Sequence, residues 1–318
     1  MSFFGKLPRW ALDPLIRSKA SFHTLDLERY RVRVARRLEE YDAAFRLVSS
    51  AYIAQGYLPA SFAGKPWITP FHPLAECVVL VAYDLNDELV GTMTMTLDSP
   101  VGMPILGYYP EVAALRGPNR KLVEFNSLAV VGRCKSSGVS QLMVMAAYHL
   151  ALRRLGVTDC VLEVSPKAQP LYRALFNFTP LGSPRMRDDL EIEVVGMHGD
   201  MIGMQGFVRK HYTRAMSSGL LPIEHYVDCP PTCIELPPVK NMAELTRWRM
   251  SPGIFRRLFV QASDRFATLN DHIKGYLRQS HYGQAMLATT KTLEYPMPRI
   301  SPISRALVDN STASFVAL

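Results

Sequence analysis

Cysteine is sparse in this 318-residue chain: Cys77, Cys134, Cys160, Cys229 and Cys233 are scattered and odd in number. That pattern excludes a disulfide-built scaffold and fits reduced thiols. Long hydrophobic runs are missing as well. The longest apolar window, residues 142–152, is too short to span a bilayer and contains His149. No long apolar run follows Met1 to Lys6, so no signal peptide is expected. The expected setting is cytoplasmic. The sequence also lacks G-x-S-x-G, H-E-x-x-H and P-loop motifs, internal repeats and low-complexity tracts. His225, Cys229 and Cys233 are spaced at four, but Pro230 and Pro231 separate the cysteines and no fourth ligand is evident, so no metal is expected.

What is present describes an ordinary globule with an unusual charge. An apolar fraction of 48% supplies ample core for one large domain with extensions. The net charge of +8 points to acidic partners: nucleic acid, anionic lipid or an acidic carrier protein. The basic residues are not interleaved with repeated aromatic platforms, which disfavours nucleic acid.

Residues 1–28 mix prolines, aromatics and basic residues without clear period and are expected to form an N-terminal arm. Strict alternation over residues 29–34 predicts a half-buried strand. A helix follows from Glu39, carrying Tyr41, Phe45, Val48 and Tyr52 on one face, and Gly56 ends it. Residues 57–75 form a long loop with four prolines, a length more often functional than idle. Residues 77–83 and 88–97 flank Asp84-Leu85-Asn86-Asp87, the composition of a hairpin turn.

The stretch 121–155 carries the strongest signal. A Val- and Leu-rich run reads as a strand buried on both faces. A turn with Gly138 and serines follows, and then a helix over about 141–155, with Gly156 as its C-cap. Free N–H groups and the positive end of the helix dipole converge at such a turn, which makes it an anion site. Glu124 lies inside the strand, where a carboxylate has no packing reason to be. Beyond it come a strand at 159–164, a short helix at 167–177 and closing strands at 178–181 and 191–195. Residues 197–206 read as a Gly/Met loop, 207–217 as a basic helix, 219–240 as Pro-rich, and 241–249, 251 onward and 264–279 as helices. The pattern is α/β or α+β, strands and helices around a mixed sheet. The expected division is an arm at 1–28, a core domain at 29–196, a mostly helical extension at 197–285 and a loose tail at 286–318.

In this order the elements resemble the GNAT acyltransferase fold. Lys135-Ser136-Ser137-Gly138-Val139-Ser140 resembles its [Gln/Arg]-x-x-Gly-x-[Gly/Ala] turn, departing at the first and last positions. The run from Glu124 to Val130 resembles the pantetheine-binding strand, and that from Gln169 to Phe178 the late A-x-x-L-Y-x-x-x-G-F element, with Asn177 in place of Gly. The long loop after the first helix and the insertion from Pro110 to Arg116 are similar to those of FeeM-type long-chain N-acyl amino acid synthases, relatives of the acyl-homoserine-lactone synthases.

The resemblance implies a soluble N-acyltransferase that moves a long-chain acyl group from acyl carrier protein to the amine of an amino acid or similar small molecule. No tightly bound cofactor is implied; acyl-phosphopantetheine or acyl-CoA is the co-substrate. A free amine is largely protonated at neutral pH, so a base is needed, and Glu124 is the candidate. The N–H groups of Ser137, Gly138, Val139 and Ser140 would hold the phosphate, with Arg133 and Lys135 supplying charge. Leu128 and Val130 mark where main-chain N–H would face the oxyanion if the strand splays. Tyr172 could protonate the thiolate, although a helix-face Tyr is as often core packing. Arg46 and Tyr52, with Tyr57, are candidates for the amine substrate; Trp67, Phe62 and Phe71, with Met93 and Met95, for an acyl groove. Basic side chains at Arg209, Lys210, Arg214, Arg247, Arg249, Arg256 and Arg257 could dock the acidic carrier, solvated faces being the commoner use of such runs. A lipid product also implies peripheral membrane contact. The rival readings are a CoA-dependent acetyltransferase, an acyl-homoserine-lactone synthase, and a non-catalytic carrier-binding protein that keeps the fold.

Overall fold

The computed structural model describes residues 8–19, 28–135, 137–212, 223–261, 265–280 and 282. The first half of the described chain runs α1 (Arg9–Lys19), β1 (Arg31–Val34), α2 (Leu38–Ala54), β2 (Cys77–Tyr83), β3 (Leu89–Leu97), β4 (Leu122–Val130) and α3 (Val139–Tyr148). Then follow β5 (Asp159–Val164), α4 (Gln169–Phe176), β6 (Thr179–Pro180), β7 (Arg185–Arg187), β8 (Ile192–Asp200), α5 (Met201–His211) and α6 (Ile223–Asp228). The last elements are β9 (Ile234–Glu235) and the short helices α7 (Met242–Leu245), α8 (Pro252–Phe255), α9 (Arg265–Thr268) and α10 (Asp271–Gln279). The described strands form one mixed sheet in the order β6-β8-β5-β4-β3-β2-β1-β9, with β7 also on β8.

Strands β2 and β3 are buried almost end to end, as strands covered by helices on both faces must be. The turn between them is an Asx turn: the Asp84 carboxylate accepts from the N–H groups of Asn86 and Glu88, and Asp87 takes a φ of 58°. Helices α2 and α3 both pack on β3. At Gly91 a Cβ would lie 2.9 Å from Val139 Cγ1, so glycine is what lets the start of α3 sit tight on the sheet.

Several elements differ from the sequence pattern, each for a local reason. Residues 197–200 continue β8 because the strand pairs with β5 along its whole length, from Val164↔Val195 to Asp159↔Asp200. Asp200 then caps α5, accepting from the Ile202 N–H, so the helix starts at Met201 rather than Phe207. Arg214 and the tail at 286–318 lie outside the described residues. Helix α3 ends at Tyr148 and continues as a wider-wound turn over His149–Arg154, with Gly156 at a φ of 67°. The C-terminal run 264–279 is two helices, because the Asn270 side chain caps a new one by accepting from Ile273 N–H. From the arm, α1 docks on α4 through Arg17, which donates to the Ala174 carbonyl, and through the Arg173–Asp13 pair at 2.7 Å. From the extension, β9 pairs in parallel with β1, and Phe255, Phe259 and Leu277 belong to the same apolar core as the sheet.

The segment between β3 and β4 builds a smaller second core. Tyr109 is fully buried, its hydroxyl donating to the carbonyls of Ser183 and Val194, and its ring lies on Gly196 of β8. A Cβ at Gly196 would come within 2.8 Å of that fixed ring. Gly196→Ala is therefore expected to lower stability by about 1–3 kcal/mol, the cost of overpacking. Gly206→Ala, with nothing within 4 Å of its Cβ in α5, should leave stability equal or up to about 1 kcal/mol higher. Urea midpoints of the two variants check the contrast.

Candidate active site

The parallel ladder between β4 and β5 is short. Leu122, Val123 and Glu124 pair with Asp159, Cys160 and Val161, and the ladder stops there, although β4 runs on to Val130 and β5 to Val164. On the other edge of β4 the register with β3 shifts between Thr92 and Thr94, so that Ser127 and Leu128 oppose Met93 alone. This is a β-bulge. Ser127 sits at a φ of 54°, a left-handed conformation that costs a non-glycine residue about 1–2 kcal/mol. The bulge bends β4 away from β5 and opens the sheet beyond Glu124.

A cleft of about 810 Å³, open to solvent, lies in the opening. Phe125, Asn126, Ser127 and Leu128 form its β4 wall, and Cys160, Leu162 and Glu163 its β5 wall. Tyr52 of α2 closes one end and shares a hydrogen bond with the Ser127 side chain. A second volume of about 650 Å³ adjoins it, lined by Gln55, Tyr57, Ser165 and Ala168, among others. Tyr52, Glu163, Tyr172 and Arg187 line both and so form the passage between them.

Glu163 lines this passage, and a second carboxylate, Glu124, lies one step behind the wall on the neighbouring strand. Glu124 is 1% exposed; its Oε2 accepts from the Ile105 N–H at 2.7 Å and its Oε1 from the Asn126 amide at 3.3 Å. Burial, reinforced by the nearby charge of Glu163, pushes its carboxyl up to about 8. Glu163 lies two residues beyond Val161, the ladder partner of Glu124, which puts both on one face. Its Oε2 pairs with Arg187 Nη1 at 2.6 Å, while its buried Oε1 has no hydrogen-bond partner. Burial raises the Glu163 carboxyl, with Arg187 opposing. Arg187 is itself held by Asp189 through Nε at 2.8 Å.

The residues singled out from sequence divide into groups. Leu128, Tyr52 and Tyr172 line the cleft. Burial raises the Tyr172 hydroxyl to about 12, so it keeps its proton at neutral pH. Glu124 is one step behind the cleft wall, with Asn126 in front of it; the carboxylate on the wall is Glu163. Val130 is buried against Gly91 in the β3 ladder. Gly138 caps α3 at a φ of 90° with no side-chain cap, so the N–H groups of Val139 and Ser140 lack intrahelical partners. Ser137 is different, since its N–H and hydroxyl both donate to the Cys134 carbonyl. Lys135 is exposed beside the turn.

Five expectations are corrected. Arg133 does not reach over the turn, because Asp84 and Glu88 of the hairpin hold its guanidinium. Arg46 does not line the cleft; it pairs with Asp42 one turn back on α2, at 2.7 Å, and the guanidinium at the cleft is Arg187. Trp67 packs edge-on behind Tyr52, with ring centroids 5.4 Å apart, and lines neither volume. Phe71 likewise packs against the core rather than the cleft, as does Met95, while Met93 does line it. Sequence reasoning missed Asn126, Glu163, Arg187, Met201 and Met204. Glu163 carried a signal, a carboxylate inside an apolar strand, identical in kind to that of Glu124. Among the described residues no three His, Cys, Asp or Glu side chains are placed to hold a metal, and no helix is long and apolar enough to cross a membrane.

A bulged strand, a parallel neighbour that splays from it and an uncapped helix directly after belong to a mixed sheet flanked by helices with a helical C-terminal region, the architecture of the GNAT fold. The family model for N-acyl amino acid synthase FeeM matches residues 43–200, just under half of the chain. That segment is thus similar to the N-acyl amino acid synthase family. FeeM from uncultured soil microbes is 24% identical over 56% of this chain and 94% of its own, with a TM-score of 0.47. BjaI, a CoA-dependent acyl-homoserine lactone synthase, is 14% identical over 69% of this chain and 99% of its own, at 0.49. An N-acetyltransferase structure from Lactobacillus plantarum is 16% identical over 54% and 99%, at 0.40. No curated protein matches the chain.

The raised Glu124 carboxyl has a consequence for stability. The unfolded glutamate ionises near 4.5, while the folded one holds its proton up to about 8. Between those values the unfolded state binds fewer protons, so stability falls as pH rises. Glu124→Gln keeps the acceptor for Ile105 and removes the titration. Its stability relative to wild type should be near parity at pH 4.5 and climb by a few kcal/mol toward pH 8, read from urea midpoints across that range.

Proposed function

We propose that this chain is an N-acyltransferase that takes a long-chain acyl group from acyl carrier protein and joins it to the amine of an amino acid or similar small molecule. The observation that carries the reading is the opened β4–β5 ladder, with an apolar-walled cleft, Glu163 at its passage and buried Glu124 one step behind. The strand groups that β5 leaves unpaired beyond Glu124 suit an extended amide-bearing arm such as pantetheine, which would pair with them as a strand does. The side-chain-free N-terminus of α3 suits its phosphate, with Lys135 beside it. The net charge of +8 suits an acidic carrier.

The amine enters by the smaller volume, where Gln55, Tyr57 and Ser165 offer neutral polar contacts. Glu163 Oε1 holds the ammonium, being buried and partnerless, while Arg187 fixes the rest of the carboxylate. Glu124 takes the proton through an intervening water. The amine nitrogen then forms a bond to the thioester carbon, the C–S bond breaks, and the nitrogen gives up its second proton; one of the two protons leaves on the thiolate as thiol and the other passes to solvent. Main-chain N–H at the Ser127–Leu128 bulge supplies the oxyanion contact, since a bulge leaves ladder donors unpaired. Tyr172 stands by the leaving group with its proton in place.

Thiol release from acyl-carrier and acyl-CoA thioesters, with and without amine, tests this. Carrier-bound donors should be preferred, and equal use of both would remove the carrier from the account. Glu124→Gln should cut kcat on the order of 10²-fold and abolish the rise in rate through pH 8. Glu163→Gln should act mainly on KM for the amine. Unchanged kinetics in both variants would take the carboxylates out of the mechanism.

A further inference from the structure

The cleft does not end at the strands. A groove of about 570 Å³ lies on its far side, between one stripe of α3 (Gln141, Val144, Met145 and Tyr148) and the helices α5 and α6. The far wall is Met204, Gln205 and Val208 of α5 and Tyr226 and Val227 of α6. Val144, Tyr148, Phe176 and Met204 line both the groove and the cleft, so the two volumes meet at these four side chains. The outer wall comes from residues beyond position 200, where the family match ends.

Two features show that this wall is built rather than incidental. The helix α6 is tied down at its own carbonyls: buried His149 contacts the Tyr226 carbonyl at 2.6 Å, and Arg153 donates to the Val227 carbonyl. Asp228 at the end of α6 is held by Arg153 and, at 2.6 Å, by Arg209 of α5. Burial lowers the His149 imidazole, so at neutral pH it is uncharged and donates through Nε2–H to the Tyr226 carbonyl. The α6 backbone is thus fixed by polar contacts, while the groove itself is lined mainly by apolar side chains. Met204 at the junction is unbranched and adapts its shape to what passes.

We propose that α5 and α6 complete an acyl-chain channel, and that the distal methylenes of the donor's fatty acyl chain run past Tyr148 and Met204 into this groove. The proposal rests on the acyl-transfer reading above and adds to it the place and the length selection of the chain. A flexible saturated chain suits the site because it can bend at the junction of the two volumes and needs no polar partner along its length. The loop at 57–75, with Phe62, Trp67 and Phe71, is not on this path.

Each methylene that reaches the groove should raise kcat/KM about fourfold, the equivalent of about 0.8 kcal/mol per buried CH₂. The test is thiol release by the full chain with a series of saturated acyl-pantetheine thioesters from four to sixteen carbons. Val208→Trp, which fills the groove at a half-buried position, should lower the ratio of long-chain to short-chain kcat/KM by at least about tenfold. A ratio that stays at the wild-type value overturns the proposal. A second readout needs no variant: a long acyl thioester bearing a terminal diazirine should label peptides of α3, α5 or α6 in the wild-type chain, and labelling of the 57–75 loop instead would also overturn it. Wild-type chain that releases no thiol from any donor sinks the acyl-transfer reading itself. Thiol release without chain-length dependence sinks only the channel.

Discussion

A regular parallel ladder along the full length of β4 and β5 would pair their facing backbone groups and leave the sheet closed. The bulge at Ser127 and Leu128 prevents this by turning two residues of β4 against Met93 alone, at the cost of a left-handed serine. Tyr52 holds the Ser127 side chain from α2, so the bend is braced from outside the sheet. The cleft, the exposed strand groups and the meeting of two volumes all follow from that one break in register. Its position relative to Glu124 matters as much as its existence. The last ladder pair is Glu124↔Val161, which places a buried carboxylate at the apex of the opening.

The electrostatics of the apex follow from desolvation. Two carboxylates on one face of adjacent strands cannot both ionise cheaply in a buried setting. Arg187 relieves Glu163 and leaves Glu124 to hold its proton to about pH 8. One group is thereby suited to contact a cation and the other to exchange a proton, from the same residue type in slightly different surroundings. Arg187 in turn depends on Asp189, and Tyr108 donates to the same aspartate at 3.1 Å, which links the β3–β4 segment to the site.

Much of the sheet was legible because its signals are local. Alternation marked β1, turn chemistry marked the β2–β3 hairpin, and an apolar run followed by Gly138 marked β4 and the start of α3. Glu124 was legible as a charge out of place. The rest was hidden for physical reasons. A β-bulge at Ser127 has no glycine to announce it, and its consequence concerns a strand thirty-odd positions away. Arg187 and Asp189 lie in a polar stretch that resembles any surface loop until β7 pairs with β8. Arg46 and Arg133 read as binding residues because a sequence shows charges and not their partners; Asp42, Asp84 and Glu88 had already claimed them. Trp67 and Phe71 read as a groove because aromatic content does not reveal which side of α2 it covers.

The C-terminal region is the part least visible in the sequence, yet it joins the fold through β9 on β1 and through α5 and α6 over the far side of the cleft. The account as a whole stands on one chemical claim, that an amine and a thioester meet at the Glu124 apex. Mass spectrometry of the lipid extract from cells expressing the chain, fed an isotopically labelled fatty acid, tests it most directly. The account predicts new N-acyl amines that carry the label and disappear when Glu124 and Glu163 are both changed to Gln. An extract with no labelled amide, or with the same amides from the double variant, would contradict it.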